Sequence, residues 1–372
     1  MKKADKISLF LLGLCTIGIL SLLAGLYAHS PLANQKIYRG SFERKFVPDN
    51  TVSLNRVLNL GVNSYYISGL SNDTIYLSNY TVPQHLLRVD KALKDTQHIR
   101  IKITGLDSVV RPRQFRTQVE PPYFYMMHGI APAILRGKVN HWEARRFMAD
   151  SAYYTDAVPI DTTSFALRYY SKSQDSYELA LETGEAPYFQ PNYGILEKQG
   201  EGYFSVDGML HFNKALQQVV YLYRYRNEFM VMDKRLNLLH RYHTLDTISR
   251  ARIASKEIKS ENSFTLTSPP AATQRFSTVS GNYLYINSGL LARNEEEEQF
   301  KKNVVIDVYE LSNGEYKYSF YLPRYKGEGI SGFKVFGNRL FAIHDQHLVA
   351  YTIESHDPIA FYRISIPCHR TL

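Results

Sequence analysis

The sequence predicts an all-β fold: a β-propeller, six four-stranded blades, preceded by one transmembrane helix. Three observations carry this. Tyrosine is unusually abundant, 29 of 372 residues against one tryptophan, and it favours a pleated, half-buried surface with its ring packed and its hydroxyl near water. Beyond residue 50 the chain is a long series of short apolar runs, each of strand length, separated by polar or glycine-containing breaks. Finally, the runs recur in groups of four, and repeats of roughly 40–50 residues, each a four-stranded meander, are the mark of a propeller.

The N-terminus is read first. MKKADK precedes an uncharged run from Ile7 to Ala28. At about 1.5 Å per residue that run spans roughly 33 Å as a helix, enough for the hydrocarbon core of a bilayer. Lys2, Lys3 and Lys6 stand before it, so the positive-inside rule leaves the N-terminus in the cytoplasm and the bulk of the chain on the periplasmic side of the inner membrane. A cleaved signal peptide is the competing reading. Its apolar region is usually shorter, ~7–15 residues, and Leu26, two before Ala28, makes a poor small-x-small site. Cys15 follows Leu14, which disfavours lipid attachment, and the other cysteine is Cys368. No intrachain disulfide is expected, and without CxxC there is neither a thiol redox centre nor a cysteine zinc site.

Residues 29–50 carry Pro31, Pro48 and scattered charge, and read as a spacer. Residues 51–372 are expected to form the propeller. In VVYLYRYRNEFMVMDKRLNLLHRY (219–242), Val219, Tyr221, Tyr223 and Tyr225 share one parity, and Val220, Leu222, Arg224 and Arg226 the other. That period of two predicts a strand. Arg226-Asn227 and Asp233-Lys234-Arg235 read as turns before strands at Phe229–Met232 and Leu236–Tyr242, with a fourth strand upstream at Met209–Phe212. SYYISGL, TIYLSNY, HLLRVD and HIRIKI form a set near the start. RFSTVSG, NYLYINSG, VVIDVYEL and YKYSFYLP form another, and GFKVFG, NRLFAIHD, HLVAYTI and IAFYRISI the last. Blades are expected near 63–103, 107–150, 162–206, 208–246, 275–323 and 330–367, with Thr51–Leu60 available to close the ring. The polar stretch 250–274 reads as a long loop, and RNEEEEQFKK (293–302) as a charged hairpin loop.

The pattern resembles exported six-bladed β-propeller proteins of Bacteroidetes-type bacteria. The segments that carry the resemblance are PYFYMMHGIAPAILRGKVNHWEARRF (122–147) and ILEKQGEGYFSVDGMLHFNKALQQVVYLYRYRNEFMVMD (195–233). It implies the propeller fold and export, and no activity.

Chemistry is sparse. In HRYH, His240 and His243 point to opposite faces of a strand and cannot share an ion. His344 and His347 in HDQH lack a third ligand nearby, and no HExxH, GxSxG, P-loop or dinucleotide fingerprint is present. No metal and no cofactor are expected. Two constellations stand out. Asp207, Arg224, Arg226 and Asn227 either pair with carboxylates of neighbouring strands or present a bidentate anion site at a propeller mouth. Tyr125 and His128, with Tyr123 and Trp142, either pack or reach a ligand from a turn. The formal charge is +9, which suits anionic partners. Export and the lack of a nucleic-acid motif exclude nucleic acid.

The expected function is a membrane-anchored extracytoplasmic binding or scaffolding propeller, held in the membrane by residues 7–28, for an envelope protein or anionic glycan. The alternative is an enzyme using the channel, a carbohydrate-active hydrolase or lyase or an oxidoreductase subunit. A ring of inward Asp, Glu, His and Arg favours channel chemistry, and an exposed apolar or tyrosine-rich patch favours partner binding.

Overall fold

A computed structural model of the chain describes residues 3–28, 37–48, 51–105, 112–148, 152–200, 203–258, 263–267 and 273–354. Helix α1 (Lys3–Ala28) contains the apolar run, and its side chains from Phe10 to Ala28 are exposed. β1 (Val52–Asn59) precedes the first blade. Blade one is β2 (Tyr65–Leu70), β3 (Thr74–Asn79), β4 (His85–Asp90) and β5 (Thr96–Arg100). A short β6 (Lys102–Thr104) leads to blade two: β7 (Arg116–Glu120), β8 (Tyr123–His128), β9 (Ala133–Lys138) and β10 (Glu143–Met148), against which β6 lies in parallel. Blade three is β11 (Tyr154–Pro159), β12 (Ser164–Ser171), β13 (Ser176–Thr183) and β14 (Phe189–Asn192). Blade four is β15 (Gly208–Asn213), β16 (Gln218–Tyr223), β17 (Glu228–Met232) and β18 (Leu238–His243). After the hairpin β19 (Ser255–Ile258) and β20 (Ser263–Leu266), blade five is β21 (Gln274–Ser280), β22 (Tyr283–Ser288), β23 (Asn303–Glu310) and β24 (Tyr316–Pro323), with α2 (Glu297–Lys302) between β22 and β23. Blade six contributes β25 (Gly332–Phe336), β26 (Arg339–His344) and β27 (His347–Ile353).

The chain is a six-bladed propeller. The strand order of the last sheet is β1-β27-β26-β25, so the N-terminal strand completes the C-terminal blade, with Val57 opposite Val349. Among the described residues β1 thus takes the fourth place in this blade; IAFYRISI, expected there, lies outside the described residues. Thr51–Leu60 had the right composition to close the ring, and pairing with β27 gives an otherwise bare sheet edge a partner. Blade three begins at Tyr154 rather than 162, because YTDAVP is too polar to read as a strand by its pattern. The expected loop 250–274 holds the β19–β20 hairpin. The expected hairpin loop 293–302 holds α2, which carries a Glu297–Lys301 ion pair at helical spacing. Of the expected spacer, residues 37–48 lie against blade five: Gly40 N donates to Leu291 O at 2.7 Å and Ser319 N to Lys45 O at 2.8 Å.

The core is split. Six apolar clusters, each shared by two adjacent blades, run round the ring among the described residues. The tyrosine-rich stretch shows why. Val219, Tyr221 and Tyr223 pack towards blade three against Val158, Ala166 and Leu179, while Val220 and Leu222 pack towards blade five against Leu284, Ile286 and Tyr309. Both parities are buried because a blade has a neighbour on each side. The blades approach so closely that a Cβ at Gly129 would lie 1.8 Å from Tyr154 O. The two-residue turns at Gly337-Asn338 and Asp345-Gln346 are where the sequence places them, with Gly337 and Asp345 at positive φ (58° and 48°).

Candidate anion-binding mouth

The first strand of every blade is innermost: β2, β7, β11, β15, β21 and β25 contact one another round the ring, apart from a weaker β7–β11 junction. In a four-stranded antiparallel meander the fourth strand ends where the next blade's first begins. All six inner strands therefore start at the same end of the central channel. The connections between each blade's second and third strands leave at that end too.

At that end the structure brings together two of the sequence candidates. Asp207 lies just before β15 and Arg224 just after β16. Arg224 Nε donates to Asp207 Oδ2 at 3.0 Å, and Arg168 Nη1 from β12 donates to Asp207 Oδ1 at 2.5 Å. Arg168 is held further by Thr155 Oγ1 (2.9 Å), Gly208 O (3.0 Å) and the Tyr221 hydroxyl (3.3 Å). Burial works against the Arg168 charge, but Tyr221, Asp207 and Asp156 outweigh it and push its pKa up. Arg224 Nη1 reaches Arg275 O at 3.0 Å, which links blade four to blade five. Arg116 lies over the Tyr80 ring at 4.4 Å and is exposed. Asp207 and Arg224 keep part of their side chains open, 28% each, so the cluster is a rim rather than a core pair. Tyrosines 170, 177 and 203 stand edge to face beside it, and Arg168 lies over the Tyr177 ring.

Four sequence candidates do other work. Arg226 is fully buried, donates to Glu197 O (2.8 Å) and Glu228 Oε1 (3.3 Å), and stacks on Tyr223. Asn227 Nδ2 donates to Asp246 O at 2.5 Å and secures the loop after β18. His128 is buried, accepts from Ala131 N at 2.9 Å through Nδ1 and meets the edge of Phe115. Tyr125 is buried against Phe165, and burial pushes its pKa up to about 12. Each is structural. The histidine pairs are occupied as well: His344 meets the Tyr351 hydroxyl and Glu328 O, and His243 meets Asn227 O.

Inside the channel stand groups that the sequence reading missed. Asp156 of β11, His211 of β15, Ser277 of β21 and Lys334 of β25 come from blades three to six. Asp156, His211 and Lys334 are partly open by surface area yet ringed by protein, as a narrow channel requires, and Ser277 is buried. His211 Nε2 and Ser277 Oγ are 2.7 Å apart. Burial, with Lys334 adding to it, pushes the His211 pKa down to about 3. Burial also lowers Lys334, opposed by Glu120 and Asp156, and raises Asp156, opposed by Arg168. At the far end Lys214 and Glu120 form an ion pair between blades four and two. A signal for these residues existed: they are the polar members of the first strand in each repeat. In blades four to six only the direction of that strand's face was hidden; in blade three the strand that carries Asp156 was itself unread.

Fold and site together define a class: a six-bladed propeller whose channel is lined by mixed charge and rimmed at one end by arginine. No family profile matches the chain, and no curated protein does. Among solved structures the chain is similar to a putative exported protein from Bacteroides fragilis, with 10% identity and a TM-score of 0.50 over 86% of this chain and 99% of that one. It is also similar to a member of the duf4221 family from Bacteroides vulgatus (15%, TM-score 0.49, 82% and 98%) and to a streptogramin B lyase (8%, TM-score 0.48, 81% and 98%). The likeness to the Bacteroides fragilis protein meets the resemblance expected from the sequence, at the level of fold.

Proposed function

We propose that this protein is a membrane-anchored extracytoplasmic binding propeller that takes an anionic envelope component at the arginine-bearing end of its channel. One observation carries the reading: Arg116, Arg168 and Arg224 come from successive blades, two to four, and stand at a single end of the channel. Clustered guanidinium groups raise the local concentration of anions and bind them bidentately. Two further facts support it. α1 has the length and composition of a membrane span, and the neighbour from Bacteroides fragilis is described as exported. Ile37–Phe42 dock on the connection between β22 and β23, which leaves blade five at the arginine-bearing end. The eight residues between Ala28 and Ile37 reach at most roughly 30 Å, which keeps this end near the bilayer.

The test is binding of the full-length protein in neutral detergent to an acidic polysaccharide. Affinity should fall steeply with salt, and Arg224→Glu should weaken it about tenfold or more, the scale of a lost charge-assisted contact. Arg145→Glu, on the outer part of blade two, should leave it unchanged. Binding that ignores both salt and Arg224 ends the proposal.

A second reading is favoured by Asp156, His211 and Lys334. They form the inward ring of acid, base and cation that the sequence argument set as the mark of channel chemistry. On that reading Asp156→Asn and Lys334→Met retain the bound ligand and abolish its turnover.

A further inference from the structure

Blade five carries a pocket that the mouth cluster does not use. Its walls include Arg275, Asn287, Ser288, Asn303, Arg324 and Gly329, and it encloses about 60 Å³. A single water needs roughly 10–15 Å³ on this measure, so the space holds four or five waters or one tetrahedral oxyanion.

Its construction is specific. In β21, Gln274 pairs with Ser288 and Phe276 with Asn287, which leaves Arg275 as the unpaired residue of a β-bulge. A bulge re-aims the side chain that it carries, and here the two residues opposite the bulge line the pocket with it. Arg324 enters from the segment after β24. Its Nε is buried without a partner, and among the described residues neither Arg275 nor Arg324 forms an ion pair with a carboxylate. Two like charges converge on one polar cavity, and beyond burial the nearby charge of Arg324 lowers the pKa of Arg275. Arg275 is exposed and Arg324 half-buried, so water screens the two like charges, and an anion between them would relieve what repulsion remains. A buried donor without an acceptor calls for a ligand that brings one.

We propose that the pocket between Arg275 and Arg324 is a binding site for a tetrahedral oxyanion, a phosphate or sulfate group. Guanidinium groups recognise such a group through paired N–H donors, and the Ser288 hydroxyl adds a neutral donor, while the side-chain amides of Asn287 and Asn303 already donate to Val305 O and Gln299 O. This deepens the reading of the mouth as an anion-binding end and rests on it for the class of ligand, while using different residues.

The experiment is thermal unfolding of the full chain in neutral detergent, titrated with inorganic phosphate or sulfate against chloride at matched ionic strength. A ligand that binds only the folded state raises the midpoint by mass action. The expected result is a saturable rise with phosphate or sulfate. Arg324→Gln and Arg275→Gln should each weaken the apparent affinity about tenfold or more, whereas Arg145→Gln, exposed on the outer strand of blade two, should leave it unchanged. Displacement of phosphate by a short-chain phosphatidylglycerol assigns the site to a lipid headgroup, and binding of the free ion alone assigns it to a phosphomonoester or free phosphate. Both outcomes support the oxyanion chemistry. No rise with either ion up to about 10 mM, or an equal rise in the Arg324 and Arg275 variants, overturns it. The wider reading fails separately: if the acidic polysaccharide ignores Arg224 while phosphate still requires Arg324, the mouth proposal falls and the pocket stands.

Discussion

Replacing Arg44 with Met should destabilise the propeller by about 3–5 kcal/mol, the usual cost of stripping one partner from a buried ion pair. Arg44 is 3% exposed. Its Nε and Nη2 grip Asp307 at 2.8 and 3.1 Å, and its Nη1 reaches Glu295 Oε2 at 2.8 Å and Leu290 O at 3.0 Å. Without it two carboxylates stay in the low-dielectric seam between the docked segment and blade five. Neighbouring Arg293 makes the natural control. It pairs with Glu43 at 2.7 Å with both side chains more than half exposed, and such pairs contribute under about 1 kcal/mol. The assay is urea unfolding, followed by circular dichroism, of a chain starting at residue 37. The pH dependence gives a second handle. Burial raises the Glu295 pKa, and Arg44 opposes that rise. Losing Arg44 raises it further, so above the ordinary carboxylate range the folded state binds more protons than the unfolded one. Linkage then makes the variant lose stability as pH rises through that window and regain part of it on acidification. Equal midpoint shifts in Arg44→Met and Arg293→Met would refute the reasoning, because residues 37–48 would then not be docked as described.

Two further outcomes follow from the ring and its channel. A chain that starts after Leu60 lacks β1 and leaves β27 with a bare edge; it should unfold at lower urea and associate through that edge, whereas a chain starting at residue 37 should stay monomeric by light scattering. His211 is held neutral, with its pKa down at about 3, mainly by burial. The unfolded chain therefore binds more protons between roughly pH 3 and 6.5, and stability should fall as pH drops through that window; the slope should be shallower in His211→Gln, and an unchanged slope would remove His211 from the account.

Much of the fold was legible. Period-two alternation with Gly, Asn and Asp breaks located most strands of blades one, four and five, because hairpin pairing is local and the turn residues it needs are few. α1 was legible from an uncharged run alone. Blade three was shifted because the strand from Tyr154 to Pro159 is too polar to announce itself. The site was legible only in part. Asp207 and Arg224 were found as polar residues in a tyrosine-rich repeat, and they do meet. Arg226 and Asn227, their sequence neighbours, turn to the opposite side of the connection and hold the loops instead. Residues 224–227 form the bend between β16 and β17, so the strand parity that groups Arg224 with Arg226 ends there, and nothing in the string says which way each side chain turns.

By itself, then, the sequence determined most strands of blades one, four and five, the repeat and the apolar N-terminal helix, all set by short-range periodicity and composition. Tertiary structure alone decided that β1 closes the last blade, that Arg44 fastens the N-terminal segment to blade five, that Arg168 and Arg224 meet on Asp207, and that Arg275 and Arg324 line one pocket. Those placements depend on blade-to-blade packing and on bulges that re-aim single side chains. They join residues up to more than 250 positions apart, and no local spacing rule reaches that far.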